Sequence, residues 1–290
     1  MELGRVGVWF SRNRWEGVPV EQVARTAQTL ERLGFGTLWM SAGFGDRLPE
    51  PFAACLDATA KLAVATGILS VWHVPAARAA AAAATLETAH PGRFVLGLGA
   101  SHAPLVEREG QRYDRPFSKV STYLDELDQA DPPLPAQRRA LAALGPRMLE
   151  LAATRSAAAH PYFVPVEHTA LAKSIIADRC LLAPEQAVVL EAEPSRAREI
   201  ARQHTRYYLR LANYSGNLRR LGYCDDDLAD GGSDRLVDAV VAWGSDEAIA
   251  ARLREQFDAG ADHVCLQVLT PDGGPAPDEA FERLAAIVLT

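Results

Sequence analysis

Short apolar runs alternate with longer segments of helical periodicity along this chain. Val6–Phe10 (VGVWF) predicts a first strand, and Val20–Leu33 places Val23, Ala27, Leu30 and Leu33 on one helical face. Gly34 and Gly36 stop that helix, as glycine commonly does at a C-terminus. Thr37–Ser41 predicts strand two, Phe52–Leu62 a helix, and Val64–Val71 strand three with Gly67 inside it. Ala76–His90 holds six consecutive alanines and reads as helix, because alanine is the best helix former. Strand four lies within Arg93–His102 (RFVLGLGASH), whose end sheds its side chains. Weaker signals follow: a loop at Tyr113–Phe117, a short helix at Lys119–Gln129 and a rigid connector at Asp131–Pro135.

Ala140–Leu144 predicts strand five, with Gly145-Pro146 opening a helix to about Arg155. Ala157–Val164 is the sixth strand and Pro165–Asp178 the sixth helix. Ala187–Leu190 is the seventh strand, followed by a helix over Ser195–Leu211. Ser245 suits the N-cap of a helix over Ala248–Ala259, and His263–Leu269 closes the series as strand eight. Eight strands with helices between most of them predict an α/β fold, and at 290 residues a single (β/α)8 TIM barrel spanning 1–290. Its insertion loops would sit at the C-terminal face of the strands.

Composition narrows the function without choosing it. A net charge of −7 argues against nucleic acid as the main partner, and no apolar run approaches the ~20 residues of a membrane span. Cys55, Cys180, Cys224 and Cys265 are scattered, with no CxxC pair, which fits a reducing cytoplasm better than disulfides or zinc. The N-terminus enters a strand almost at once, leaving no room for a signal peptide. The expectation is a cytoplasmic protein acting on a small molecule.

In such barrels ligands bind at the C-terminal strand ends. Here those ends are rich in Gly, Ser, His and aromatic residues, without paired acids or a strand-terminal lysine. That composition suits a flat cofactor better than direct acid–base hydrolysis. Gly97 and Gly99 lack the third glycine of a dinucleotide fingerprint. Ser101-His102 lacks the G-x-S-x-G elbow of a nucleophilic serine. The seven histidines show no metal-ligand spacing, so no metal is expected; His90 and His204 read as helix-surface residues, His102 and His160 as strand-end candidates. Gly145-Pro146-Arg147 either starts a helix or turns its N–H groups toward a phosphate. Arg12 and Arg14 fit either a solvated loop or an anionic tail.

Together these segments resemble the luciferase-like flavin and deazaflavin oxidoreductases, and more closely their coenzyme F420-dependent actinobacterial branch. The resemblance is carried by VGVWF, LERLGFGTLW, VATGIL, GRFVLGLGASH, ALGPRMLELAA, AHPYFVPVEHT, LAPEQAVVLE and GSDEAIAARLREQFDAGADHVCLQV. It implies a TIM barrel with coenzyme F420, or FMN as the alternative, lying across the strand ends. Gly67-Ile68 falls where the family often has a cis peptide under the ring. Gly99, Ala100, Ser101 and His102 would border the ring or phosphate, and Leu144, Gly145 and Met148 the phosphate.

By the same resemblance His160 and Thr169 join the cofactor site. Ser41 and His102 are the catalytic candidates, with Trp9 and Trp72 facing substrate. The implied activity is hydride transfer between F420 and a small organic substrate. The alternatives are an FMN-dependent monooxygenase and a barrel that binds the ring without catalysis. A homodimer is the oligomer the family suggests. The chain departs from the pattern before His160: relatives usually carry an Asp-Gly turn, where this chain has Ser156-Ala157-Ala158-Ala159. Loss of that glycine points to a shifted loop and weaker cofactor contacts at His160.

Overall fold

The structure is a computed structural model that describes residues 2–11, 15–43, 45, 47–274 and 276–289. Arg12 and Arg14 lie outside the described residues. Eleven strands form one sheet, and every pairing is parallel. In chain order they are β1 (Val6–Phe10), β2 (Thr37–Met40), β3 (Ala63–Thr66), β4 (Leu69–Ser70), β5 (Phe94–Gly99) and β6 (Arg139–Leu141). They continue as β7 (Ala158–Ala159), β8 (Leu181–Leu182), β9 (Glu185–Val189), β10 (Val241–Trp243) and β11 (Val264–Val268).

The sheet runs β10-β9-β11-β1-β2-β3-β5-β6-β7-β8, with β4 beside β5. β8 and β9 lie two residues apart in the chain, so the segment Leu181–Val189 closes the ring: its start pairs with β7 and its end with β11. β3 and β4 are likewise two parts of one strand, interrupted at the cis peptide Gly67-Ile68. Counting each split strand once leaves the eight staves of a (β/α)8 barrel, plus the short β10 beside β9.

Side-chain alternation along the strands explains the closure. Trp9, Trp39, Ala65, Val95, Ala140, Ala158, Ala187 and Cys265 gather in one buried cluster. Their chain neighbours Val8, Leu38, Val64, Phe94, Leu141, Val188 and Leu266 gather in the other, against the helices. The interior is filled by a few large rings set against many alanines, the large-and-small packing that a narrow barrel demands. Trp39 is fully buried within that interior cluster. Its Nε1 donates to His263 Nε2 (3.1 Å), and His263 Nδ1 donates to Gly4 O (2.8 Å).

The glycines of this interior make room for backbone. A Cβ on Gly97 would stand 1.9 Å from Thr66 O, and one on Gly7 2.7 Å from Thr37 O. Outside the sheet, the helix Val20–Leu33 buries Val23, Ala27 and Leu30, and the alanine-rich helix Ala76–Ala89 buries five alanines and Leu86 against β5 and its neighbours. Burying a leucine or valine fully is worth about 1.5–3 kcal/mol.

Several expected boundaries move. Val64–Val71 is two strands, and Ala157–Val164 contributes only Ala158–Ala159, because Pro161 and Pro165 carry no N–H and Phe163 adopts φ 57°. The expected helix Ser195–Leu211 ends at Tyr208, and a second helix, Ala212–Arg220, begins after it. The helices Ala103–Arg108, Asp225–Leu228, Asp234–Val240 and Asp278–Val288, and strand β10, have no counterpart in the sequence reading. No helix among the described residues is long and apolar enough to cross a membrane.

Candidate active site

A cavity of about 1070 Å³ opens at the C-terminal ends of the strands. One wall is built of small and aliphatic residues from β2 to β6 and the turns that follow: Ser41, Gly67, Ile68, Ala100, Ser101, Ala142, Leu144, Gly145 and Met148. A second wall is aromatic, from the β7 turn and the helices Pro194–Tyr208 and Ala212–Arg220: His160, Tyr162, His204, Tyr207, Tyr208 and Tyr214. Trp9 from β1 and Gln267 from β11 join the two.

On the small-residue wall the missing side chains serve the protein first. A Cβ on Gly67 would lie 2.5 Å from Trp9 Nε1, so the bare backbone lets the indole reach the cavity floor. A Cβ on Gly99 would lie 2.9 Å from Ile68 Cδ1 and 3.0 Å from Ala142 Cβ. Gly99 is therefore absent from the cavity surface; it seats Ile68, which is present there. Gly145 opens the helix Pro146–Arg155, which no side chain caps. Arg220 Nη2 sits 3.7 Å from the place of a Gly145 Cβ, steadied by Asn217 Oδ1 at 3.0 Å. His168 Nε2 donates to Leu144 O (2.8 Å) and holds that turn from behind.

The aromatic wall is a continuous set of rings. Tyr162 lies 4.9 Å from Trp9, 5.0 Å from Tyr208 and 6.2 Å from Tyr214, centroid to centroid. Tyr208 lies 5.3 Å from Tyr214 and 4.7 Å from His204. The Tyr162 hydroxyl donates to Gln267 Oε1 (2.7 Å) and stands 2.9 Å from the Tyr208 hydroxyl. Burial holds the Tyr162 and Tyr214 phenols well above their ordinary range, so both stay protonated.

Three histidines line the cavity, His102, His160 and His204, and hydrogen bonds fix the tautomers of the first two. His160 is buried and stacks on Trp39 at 4.3 Å and 8°, while its Nδ1 donates to Ala183 O (2.6 Å). Burial presses it down to about 4, so it is neutral at physiological pH with a lone pair on Nε2. That atom and Trp9 Nε1 are buried polar atoms with no partner in the protein. His102, after β5, has its Nδ1 3.1 Å from Asn213 Oδ1; as the amide oxygen only accepts, Nδ1 carries the proton and Nε2 the lone pair. Burial lowers its pKa, and the Asn213 bond opposes the shift. Asn213, from a helix the sequence did not predict, is a site residue that no local motif marks.

The structure thus brings Ser41, Gly67, Ile68, Ala100, Ser101, His102, Leu144, Gly145, Met148 and His160 onto one cavity, together with Trp9. Thr169 is not among them: it is fully buried, and its hydroxyl donates to Gln256 Oε1 (2.6 Å), which ties two helices together. Trp72 also stands outside the lining, its Nε1 pinning the turn after β5 at Ala100 O (2.7 Å). His204, read as a helix-surface residue, instead lines the cavity. His90 bridges to Asp57 Oδ1 (2.8 Å) at the barrel's outer face. The segment Ser156–Ala159 contains no residue with positive φ and runs straight into β7, so no glycine is needed before His160. No cluster of His, Cys, Asp and Glu among the described residues could hold a metal ion.

A sequence model of the luciferase-like monooxygenases matches residues 5–263. The chain belongs to this family. A putative coenzyme F420-dependent oxidoreductase of Mycobacterium tuberculosis is 28% identical over 116 residues, 40% of this chain and about a third (33%) of that protein's length. Among solved structures, the F420-dependent tetrahydromethanopterin reductase of Methanopyrus kandleri superposes with a TM-score of 0.79 at 15% identity, covering 100% of this chain and 99% of that one. An F420-dependent secondary alcohol dehydrogenase with an F420–acetone adduct gives 0.75 at 14% identity, with 98% of each chain covered. The oxygenating constituent of the 3,6-diketocamphane monooxygenase of Pseudomonas putida, in complex with FMN, gives 0.71 at 16%, again with 98% of each chain covered. Likeness at these identities establishes the luciferase-like barrel.

Proposed function

We propose that this member of the family is an oxidoreductase that transfers a hydride between coenzyme F420 and a small organic substrate. The observation that carries this reading is the small-residue wall, ending at an uncapped helix start beside Arg220. Its shape and donors fit a planar ring system with a phosphorylated tail. Gly67, Ile68, Ala100 and Ser101 would hold the ring, and Leu144, Gly145, Met148 and Arg220 the phosphate end. Trp9 Nε1 and His160 Nε2, buried and unpaired, give such a ring one donor and one acceptor.

The deazaflavin, when bound, supplies the carbon that gives or takes the hydride. The protein orients the substrate, excludes water with the aromatic wall, and holds or takes a proton at His102 Nε2, with Asn213 fixing the tautomer. Ser41 lines the same cavity as a second polar group for the substrate. The mycobacterial relative and two of the fold neighbours use F420 by name, which supports the deazaflavin. FMN on the same wall is the second reading, supported by the FMN-bound neighbour.

Titration of the purified protein with F420 and with FMN, followed by absorbance and fluorescence, tests the choice. The expected result is saturable binding with F420 favoured. A preference for FMN would shift the reading to a monooxygenase, and failure of both to bind would overturn it.

A further inference from the structure

The two walls differ in charge as well as in shape. Among the described lining residues, the only Asp, Glu, Lys or Arg are Glu16, in the loop after β1, and Arg108, at the end of the helix Ala103–Arg108. The aromatic wall carries neither an acid nor a base of that kind. Of its titratable groups, His160 is neutral and the buried Tyr162 and Tyr214 are protonated, and burial raises Glu185 behind them to about 8, leaving that carboxyl uncharged at neutral pH as well. An ion brought against such a wall would give up hydration with nothing charged to replace it. A flat apolar ring would instead meet Tyr162, Tyr208, Tyr214 and His204, whose neighbouring rings lie 4.7–6.3 Å apart, the spacing at which aromatic rings associate. At about 1070 Å³ the cavity stands at the top of the range of about 300–1,000 Å³ usual for small-ligand sites, so a flat ring on this wall can share it with a cofactor on the small-residue wall.

We propose that the aromatic wall is the substrate seat, and that it takes an uncharged, planar aromatic compound. The inference rests on the oxidoreductase reading for calling this ligand the substrate; the seat itself does not depend on which cofactor binds. Ring contacts add to burial, so two of them give a preference of about tenfold or more for an aromatic over a saturated ligand of equal size.

Calorimetric titration with three probes tests this: 2-naphthol, its saturated counterpart decahydro-2-naphthol, and the anion 2-naphthoate. The expected result is that 2-naphthol binds about tenfold tighter than either of the others, with F420 or FMN present as well as absent. Tyr214→Leu and, separately, the half-buried Tyr208→Leu should each shrink the aromatic-over-saturated preference to below about threefold. Circular dichroism would establish that each variant is folded, and the wild-type ranking stands without them. The proposal is overturned if 2-naphthol fails to bind, if either comparison probe binds as tightly, if a cofactor displaces 2-naphthol competitively, or if both folded variants keep the full preference. Failure of both cofactors to bind, with the probe ranking intact, would remove the oxidoreductase reading and still support the aromatic seat.

Discussion

The small-residue wall and the aromatic wall line one cavity, yet their shapes have different origins. The first is set by the barrel's own crowding: Gly67 yields to Trp9, Gly97 to the Thr66 carbonyl, and Gly99 to Ile68. The second is set by side chains from the turn after β7 and from the helices between β9 and β10, which hold one another through ring contacts, with the Tyr162–Gln267 hydrogen bond tying them to β11. A glycine near a site therefore need not face the ligand. On this barrel only Gly67 and Gly145, of the expected glycines, reach the cavity surface.

The sharpest way to break that comparison is Gly97→Ala. Its methyl would meet a backbone carbonyl at 1.9 Å, which no side-chain motion relieves, so a loss of about 3 kcal/mol or more is expected by chemical denaturation. Gly99→Ala should cost less, about 1–2 kcal/mol, because Ile68 can move. The displaced Ile68 would intrude on the wall, so cofactor affinity should fall together with stability. Unchanged affinity in a folded Gly99→Ala protein would separate Gly99 from the site altogether.

The buried acid behind the aromatic wall should be visible in the pH dependence of stability. Glu185 is raised by burial from 4.5 to about 8, so the folded state holds its proton longer than the unfolded state and stability falls as pH rises between those values. His160 and His263 are lowered by burial from 6.5 to about 4, so their contribution rises with pH across that lower range. From 4.5 to 6.5 the two histidines outweigh the acid; above 6.5 the acid acts alone. These three groups together predict a maximum near pH 6.5, followed by a decline of up to about 1.4 kcal/mol per unit toward pH 8. Glu185→Gln should flatten the decline, as read from melting temperatures at pH 6.5 and 8. A wild-type protein that gains stability over that interval would contradict the assignment.

The smallest effect concerns Thr169. Its hydroxyl is committed to Gln256, so Thr169→Val should cost about 1 kcal/mol of stability and leave cofactor affinity unchanged. A loss of affinity at unchanged stability would return Thr169 to the site.

The two walls also differ in how far the sequence revealed them. Barrel strands and the helix Val20–Leu33 follow from local periodicity, and the small-residue wall sits at strand ends whose place on the barrel follows from the topology. The aromatic wall depends on a break between Tyr208 and Ala212 where neither proline nor glycine intervenes. That break is set in three dimensions, by Leu211 and Tyr214 burying themselves against Tyr162 and Phe163. The same reason hid Asn213 and moved His204 from an expected surface to the cavity. Thr169 stands away from the lining for the converse reason: its helix follows from local sequence, but a hydrogen bond to a residue 87 positions away leaves no local signal.

The most direct test of the central claim, that the small-residue wall holds a flavin-type ring, is a fluorescence titration of F420 into the wild-type protein and into Ala142→Phe. Ala142 lies on that wall beside Ile68, and the added ring would fill the slot. The account predicts saturable binding to the wild type and a loss of at least about a hundredfold in the folded variant, the equivalent of about 2.8 kcal/mol. Equal binding by the two proteins would contradict it.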